Sequence, residues 1–110
     1  MKYIIRFKIQ GFFSNINLFK NKRFKKTGNK NLILLHCLSS YPANESEMNL
    51  KAIKTLKRNF NIPVGLSDHY PGIEISLMAL GLGANIIERH FTISKLFEGP
   101  DHILSSEPEE

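Results

Sequence analysis

Acidic residues are missing from the first 44 positions of this 110-residue chain, a stretch that nonetheless carries nine of its fifteen Lys and Arg. The first carboxylate is Glu45; across residues 45–110 six basic residues face ten acidic ones, so the overall charge of +5 conceals an acidic C-terminal part. Cysteine is nearly absent. Cys37 alone excludes an internal disulfide framework and fits a reducing, cytoplasmic setting. No stretch approaches the ~20 apolar residues of a membrane span, and residues 1–8 alternate apolar with basic side chains instead of forming the apolar core of a secretory signal. No membrane partner is expected. Length is short as well, enough for one small core and well below the about 250 residues of a complete (β/α)8 barrel.

The charge break suggests two pieces. In residues 1–26, Lys20-Asn21-Lys22-Arg23-Phe24-Lys25-Lys26 interleaves basic and aromatic side chains, as nucleic-acid binders do. No RNA- or DNA-binding signature accompanies it, so no nucleic-acid partner is expected. Ile4, Ile5, Phe7 and Ile9 permit at most a short strand, and the segment is left as an unassigned basic piece.

From residue 27 the pattern is regular. Gly28-Asn29-Lys30-Asn31 is a turn, and Leu32-Ile33-Leu34-Leu35-His36 is the apolar run of a parallel strand buried on both faces. Pro42 and Asn44 break the chain before a helix expected to start near Ser46 or Met48, with Leu50, Ile53, Leu56 and Phe60 inward and Lys51, Lys54, Lys57 and Arg58 solvated. Pro63 opens a second strand over 64–67, and Pro71-Gly72 turns into a helix over about 73–82. Ile75, Leu77, Met78, Ala79 and Leu80 make that helix apolar nearly all round, which predicts heavy burial. Gly81 and Gly83 end it, and a third strand is expected over 84–90. Strands about 30 and then about 20 residues apart fit βαβ units, not hairpins. The expected fold is α/β, a partial TIM (β/α)8 barrel of about the last three βα units, spanning 27–110.

Each strand ends at a histidine beside polar residues: His36-Cys37, Ser67-Asp68-His69 and Glu88-Arg89-His90. Barrel enzymes assemble their sites from such strand ends. Alternate side chains of a strand share a face, so Ser67 and His69 point one way and Asp68 the other, while Glu88 and His90 oppose Arg89. His69 and His90 can therefore converge, and two neutral imidazoles with oxygen donors suit Mn, Fe or Zn. Lone histidines also cap helices or bond within a core, so spacing leaves both readings open. An inward Glu88 is costly unless paired or functional.

From residue 28 onward the chain resembles the C-terminal part of the catalytic barrel of the sialic acid synthase family, the phosphoenolpyruvate-dependent synthases of N-acetylneuraminate, legionaminate and related acids. The matching text is Leu34-Leu35-His36-Cys37 with Ser39, Tyr41 and Pro42, then Asn49-Leu50 with Ala52-Ile53, Thr55 and Leu56. It continues with Pro63-Val64-Gly65, Ser67-Asp68-His69, Leu82-Gly83-Ala84, Ile87-Glu88-Arg89-His90-Phe91 and Glu98-Gly99-Pro100-Asp101-His102, followed by Glu107-Pro108-Glu109. The motifs occur in family order at family spacing.

The resemblance implies a role for each position. His69 and His90 are the expected ligands of a divalent metal, Mn foremost and Mg second, which polarises the aldehyde of an N-acylmannosamine-type sugar. Ser39 and Ser67 are expected at the phosphate of phosphoenolpyruvate, and Tyr41, Glu88 and Asp101 at the sugar hydroxyls, Glu88 and Asp101 counting as catalytic. Family members act as homodimers, and their first strands carry acidic and lysine residues that residues 1–26 do not match. A C-terminal antifreeze-like domain, whose arginine reaches the partner subunit's sugar, is also unmatched. Leu38 and Tyr70 stand where Thr is usual. With half a site and an open sheet edge, the isolated chain is expected to be marginally stable and catalytically silent, its missing strands encoded in the flanking DNA. A non-catalytic gene remnant is the alternative.

Overall fold

The computed structural model describes residues 3–8, as backbone, and 31–110. The basic run at 20–26 and the turn at 28–30 lie outside the described residues. Among those described, β1 (Tyr3–Lys8), β2 (Leu32–Cys37), β3 (Val64–Asp68) and β4 (Ile87–Arg89) form one parallel sheet in the order β1-β2-β3-β4. Beyond the three strands expected over 27–110, the short strand permitted by Ile4, Ile5, Phe7 and Ile9 is present and joins the sheet. β1 comes from the alternating Ile4-Ile5-Phe7 stretch and pairs with β2 from Tyr3↔Leu32 to Lys8↔Cys37. Consecutive parallel strands that are also neighbours require crossover connections, and α1 (Ala52–Asn59) and α2 (Glu74–Gly81) supply two of them.

The core lies between the sheet and these helices. Leu34, Val64 and Leu66 on the strands pack with Met48, Ile53, Leu56, Ile75 and Ala79. Alternation then assigns the other face to Leu35, Gly65, Ser67 and Glu88. Gly65 is required there because a Cβ would collide with the Ile86 carbonyl oxygen and with the Leu35 side chain, 2.8 Å away. That carbonyl also accepts the ladder bond from Leu66 N at 2.9 Å.

Several expectations need correction. The first helix starts at Ala52, not near residue 46 or 48. The Asn44 side chain accepts from Ser46 N at 2.9 Å and Ser46 Oγ at 2.8 Å, closing a separate 3-10 turn, Glu45–Glu47. Asn49, at φ 43°, then interrupts the helical path. The third strand is shorter than 84–90, although Asn85 N already bonds Val64 O at 2.7 Å. α2 is not buried all round: Leu77 and Met78 are more than half exposed. Only the side bearing Ile75, Ser76 and Ala79 meets the sheet, and no described element covers the other.

Candidate functional site

Parallel register sets a row of residues across the C-terminal end of the sheet, Lys8↔Cys37, Cys37↔Ser67 and Ser67↔Glu88. Ser67 Oγ donates to Glu88 Oε1 at 2.7 Å, so the half-buried carboxylate is paired. One step further along, His69 and His90 leave the strand ends on the same face, their ring centroids 5.3 Å apart and nearly perpendicular. Tyr41, from the loop after β2, lies 4.2 Å from the His69 ring and 5.9 Å from the His90 ring. Asp101 Oδ2 approaches His90 Nδ1 to 3.7 Å.

The loop carrying Ser39 and Tyr41 is fastened to His69. The His69 Nδ1–H donates to Leu38 O at 2.8 Å, and Ala43 N donates to His69 O at 2.9 Å. A carbonyl can only accept, so this bond places a proton on Nδ1; of the two neutral tautomers it selects the one whose lone pair is on Nε2, the form in which an imidazole binds a metal. Ser39 itself is exposed, and its hydroxyl lies 3.8 Å from Cys37 Sγ. The structure thus brings together Tyr41, Ser67, His69, Glu88, His90 and Asp101, while Ser39 stands at the rim.

Among the described residues no group of three or more His, Cys, Asp and Glu side chains is disposed to hold a metal ion. The donor set is two imidazoles, one with its free nitrogen fixed by a carbonyl. It fits a borderline divalent ion whose other positions are filled by oxygen from water or substrate, and it does not fit a closed four-ligand structural site.

On the opposite face, Asp68 is fully buried and accepts from Tyr70 N at 2.9 Å, from Ser76 Oγ and from Arg89 Nη1 at 2.7 Å. Tyr70 is held next to Glu45, whose charge, followed by burial, raises the phenol's pKa above its usual value and keeps it a donor. His36, also on this face, is 2 % exposed. Its Nε2–H donates to Met48 O at 2.6 Å, and Nδ1 has no partner among the described residues. Burial lowers its pKa, only partly countered by the Met48 bond, so it is a neutral core residue and not part of the site. A cavity of about 670 Å3 opens at the other end of the strands, lined by Leu32, Ile33, Lys57, Phe60, Pro63 and Ile86 among others, away from every residue of the tip.

A model of the NeuB family matches residues 11–110. The chain belongs to the NeuB family. Part of the basic segment that sequence patterning left unassigned therefore falls inside the family match. An uncharacterised protein of Methanocaldococcus jannaschii is 55% identical over 89 residues, covering 81% of this chain and 26% of that protein. N,N'-diacetyllegionaminic acid synthase of Legionella pneumophila is 53% identical over 79 residues, 72% of this chain and 22% of the enzyme. The crystal structure of N-acetylneuraminic acid (sialic acid) synthetase from Leptospira borgpetersenii, in complex with citrate, superposes with a TM-score of 0.89 at 42% identity. It covers all of this chain and 38% of that one. This NeuB-family chain thus has an α/β fold with the parallel sheet of the sialic acid synthases, and spans about a quarter of the length of the curated relatives it matches. No helix among the described residues is long and apolar enough to cross a membrane.

Proposed function

We propose that the chain carries the metal- and sugar-binding end of a phosphoenolpyruvate-dependent sugar-acid synthase, built on half of an eight-stranded barrel. The observation that supports this most is the convergence of the His69, His90 and Tyr41 rings within 6 Å, beside the Ser67–Glu88 pair, at the C-terminal ends of parallel strands. In this reading the C3 carbon of phosphoenolpyruvate forms the new bond to the aldehyde carbon of an N-acylated aldose, water adds at C2, and phosphate leaves. A divalent ion, Mn foremost, would be held by His69 and His90 and would supply Lewis-acid polarisation of that aldehyde.

The chain's own residues bind and orient. Ser67 Oγ is a hydroxyl donor that turns from Glu88 to a phosphate oxygen, and Ser39 stands at the rim where a second donor is needed. The Glu88 carboxylate, which accepts from Ser67 Oγ at 2.7 Å, also has lone pairs to accept from a sugar hydroxyl. Asp101 accepts on the other side of His90. The Tyr41 ring walls the aldehyde end and shields the two imidazoles from water. Substrate-holding groups of the remaining strands are supplied by the rest of a barrel, and two subunits are expected to associate in the complete enzyme.

The test is a chimera. Residues 28–110 replace the matching segment of the Legionella N,N'-diacetyllegionaminic acid synthase, and metal-dependent phosphate release from phosphoenolpyruvate is followed with that enzyme's own acceptor sugar. Activity is expected in the chimera and only background after His90→Ala. A folded chimera that is inert, or a His90→Ala form that turns over normally, contradicts the reading.

A further inference from the structure

Arg89 lies between Glu88 and His90, yet its side chain points away from both. A guanidinium carries five N–H donors in a fixed planar fork, and here each has an acceptor. Nε donates to Ser106 Oγ at 2.8 Å, Nη1 to Asp68 Oδ2 and to Gly72 O, both at 2.7 Å, and Nη2 to Tyr70 O at 3.0 Å and Leu104 O at 3.3 Å. The five acceptors come from two separate segments: residues 68–72, which run from the end of β3 into the loop that follows it, and the turn after Asp101. Each segment holds or adjoins a residue of the candidate site. Asp68 is flanked by Ser67 and His69, Tyr70 follows His69, and Leu104 and Ser106 close the segment that begins at Asp101. Ser106 also bonds the β4 extension, through Ser106 N to His90 O at 2.8 Å and Thr92 N to Ser106 O at 2.9 Å.

We propose that Arg89, held by Asp68, is the positioning residue of this site: from behind the sheet it sets the separation of the His69 and His90 rings and seats the segment bearing Asp101. The inference rests on the proposed function for the use of those rings, but not for their geometry. The physical argument is one of leverage. Strand alternation places Asp68 and Arg89 on the helix side and the two imidazoles on the other side of the same two strand ends, so the ion pair fixes how far those ends splay. The pair is well buried, with side-chain exposures of 12% and 0%, and a buried pair is a poor source of net stability compared with apolar packing. Its value here is geometric. Three of the five acceptors are backbone carbonyls, Gly72 O, Tyr70 O and Leu104 O, all served by the one planar fork. Lysine would keep the charge beside Asp68 but, as a single ammonium with three donors, could not serve all five acceptors across the two segments.

The experiment uses the full chain and reads ring geometry without metal or substrate. In the wild type, cross-strand NOEs are expected between the His69, His90 and Tyr41 rings and between Leu34 and Leu66 in the core. In Arg89→Lys the ring-to-ring NOEs should disappear while the Leu34–Leu66 NOE persists. Retention of both sets overturns the proposal. Should Arg89→Lys not fold, Asp68→Asn decides: it keeps the shape of the carboxylate while removing its charge, and the same selective loss is expected. Selective loss of the ring NOEs together with an inert chimera sinks the proposed function but not the positioning role. Retained ring NOEs with an active chimera do the reverse.

Discussion

At the scale of single residues, His36 limits the pH range of the fold. Burial holds its pKa in the folded chain below the ordinary 6.5, so the unfolded chain takes up the proton first as pH falls. Stability is therefore full above about pH 6.5 and declines as the pH drops from there toward the lower folded-state value. Thermal unfolding followed between pH 8 and pH 5 should show this loss, and His36→Gln, which retains a donor for Met48 O, should reduce it. An unchanged pH profile in that variant would contradict the assignment. Much at this scale is legible in the sequence. Period-two alternation by itself separates Ser67, His69, Glu88 and His90 from Asp68 and Arg89. The reach of Arg89 is not legible, because three of its acceptors are carbonyl oxygens, and a carbonyl leaves no trace in residue identity. Ser39 is legible only through family resemblance, and the structure gives it no bond to the other site residues.

At the scale of elements, spacing between β3 and β4 depends on Gly65. Gly65→Ala forces a methyl into the Ile86 carbonyl and the Leu35 side chain, and a cost of about 1–3 kcal/mol is expected from such overpacking. Urea unfolding of the two forms measures it; equal midpoints would mean that the strands can separate freely. Emptying the helix side of the same sheet is expected to cost more. Ile53 is fully buried on α1, and Ile53→Ala should lose about 2–5 kcal/mol. Leu77→Gln on α2, by contrast, should leave stability within about 0.5 kcal/mol and improve solubility, since Leu77 is exposed. α2 illustrates where sequence reasoning stops. An all-apolar helix announces that it has neighbours, but not whether those neighbours are among the described residues. The start of α1 is hidden for a different reason, a side-chain cap at Asn44 that competes locally with the helix.

At the scale of the molecule, four parallel strands with two described crossover helices carry the cluster of Tyr41, Ser67, His69, Glu88 and His90 that the proposed function reads as one side of a substrate site. Condensation requires both substrates to be oriented at once, and such positioning accounts for about 7–11 kcal/mol of a barrier. The 110-residue chain by itself should therefore release no phosphate from phosphoenolpyruvate above background with an N-acylated aldose, and metal-dependent release abolished by Ser67→Ala would refute this. Chain order and strand spacing make the parallel α/β class legible. β1 is legible only in part: alternation at Ile4, Ile5 and Phe7 permits a short strand, but nothing in the sequence says that it pairs with β2.

The central claim, that His69 and His90 act as a metal-binding pair, is tested most directly by manganese titration of the chimera, with unbound Mn(II) read by electron paramagnetic resonance. One ion per subunit is predicted, with affinity strongly reduced in His69→Ala and in His90→Ala and unchanged in His36→Gln. Manganese binding that survives both of the first two substitutions would contradict it.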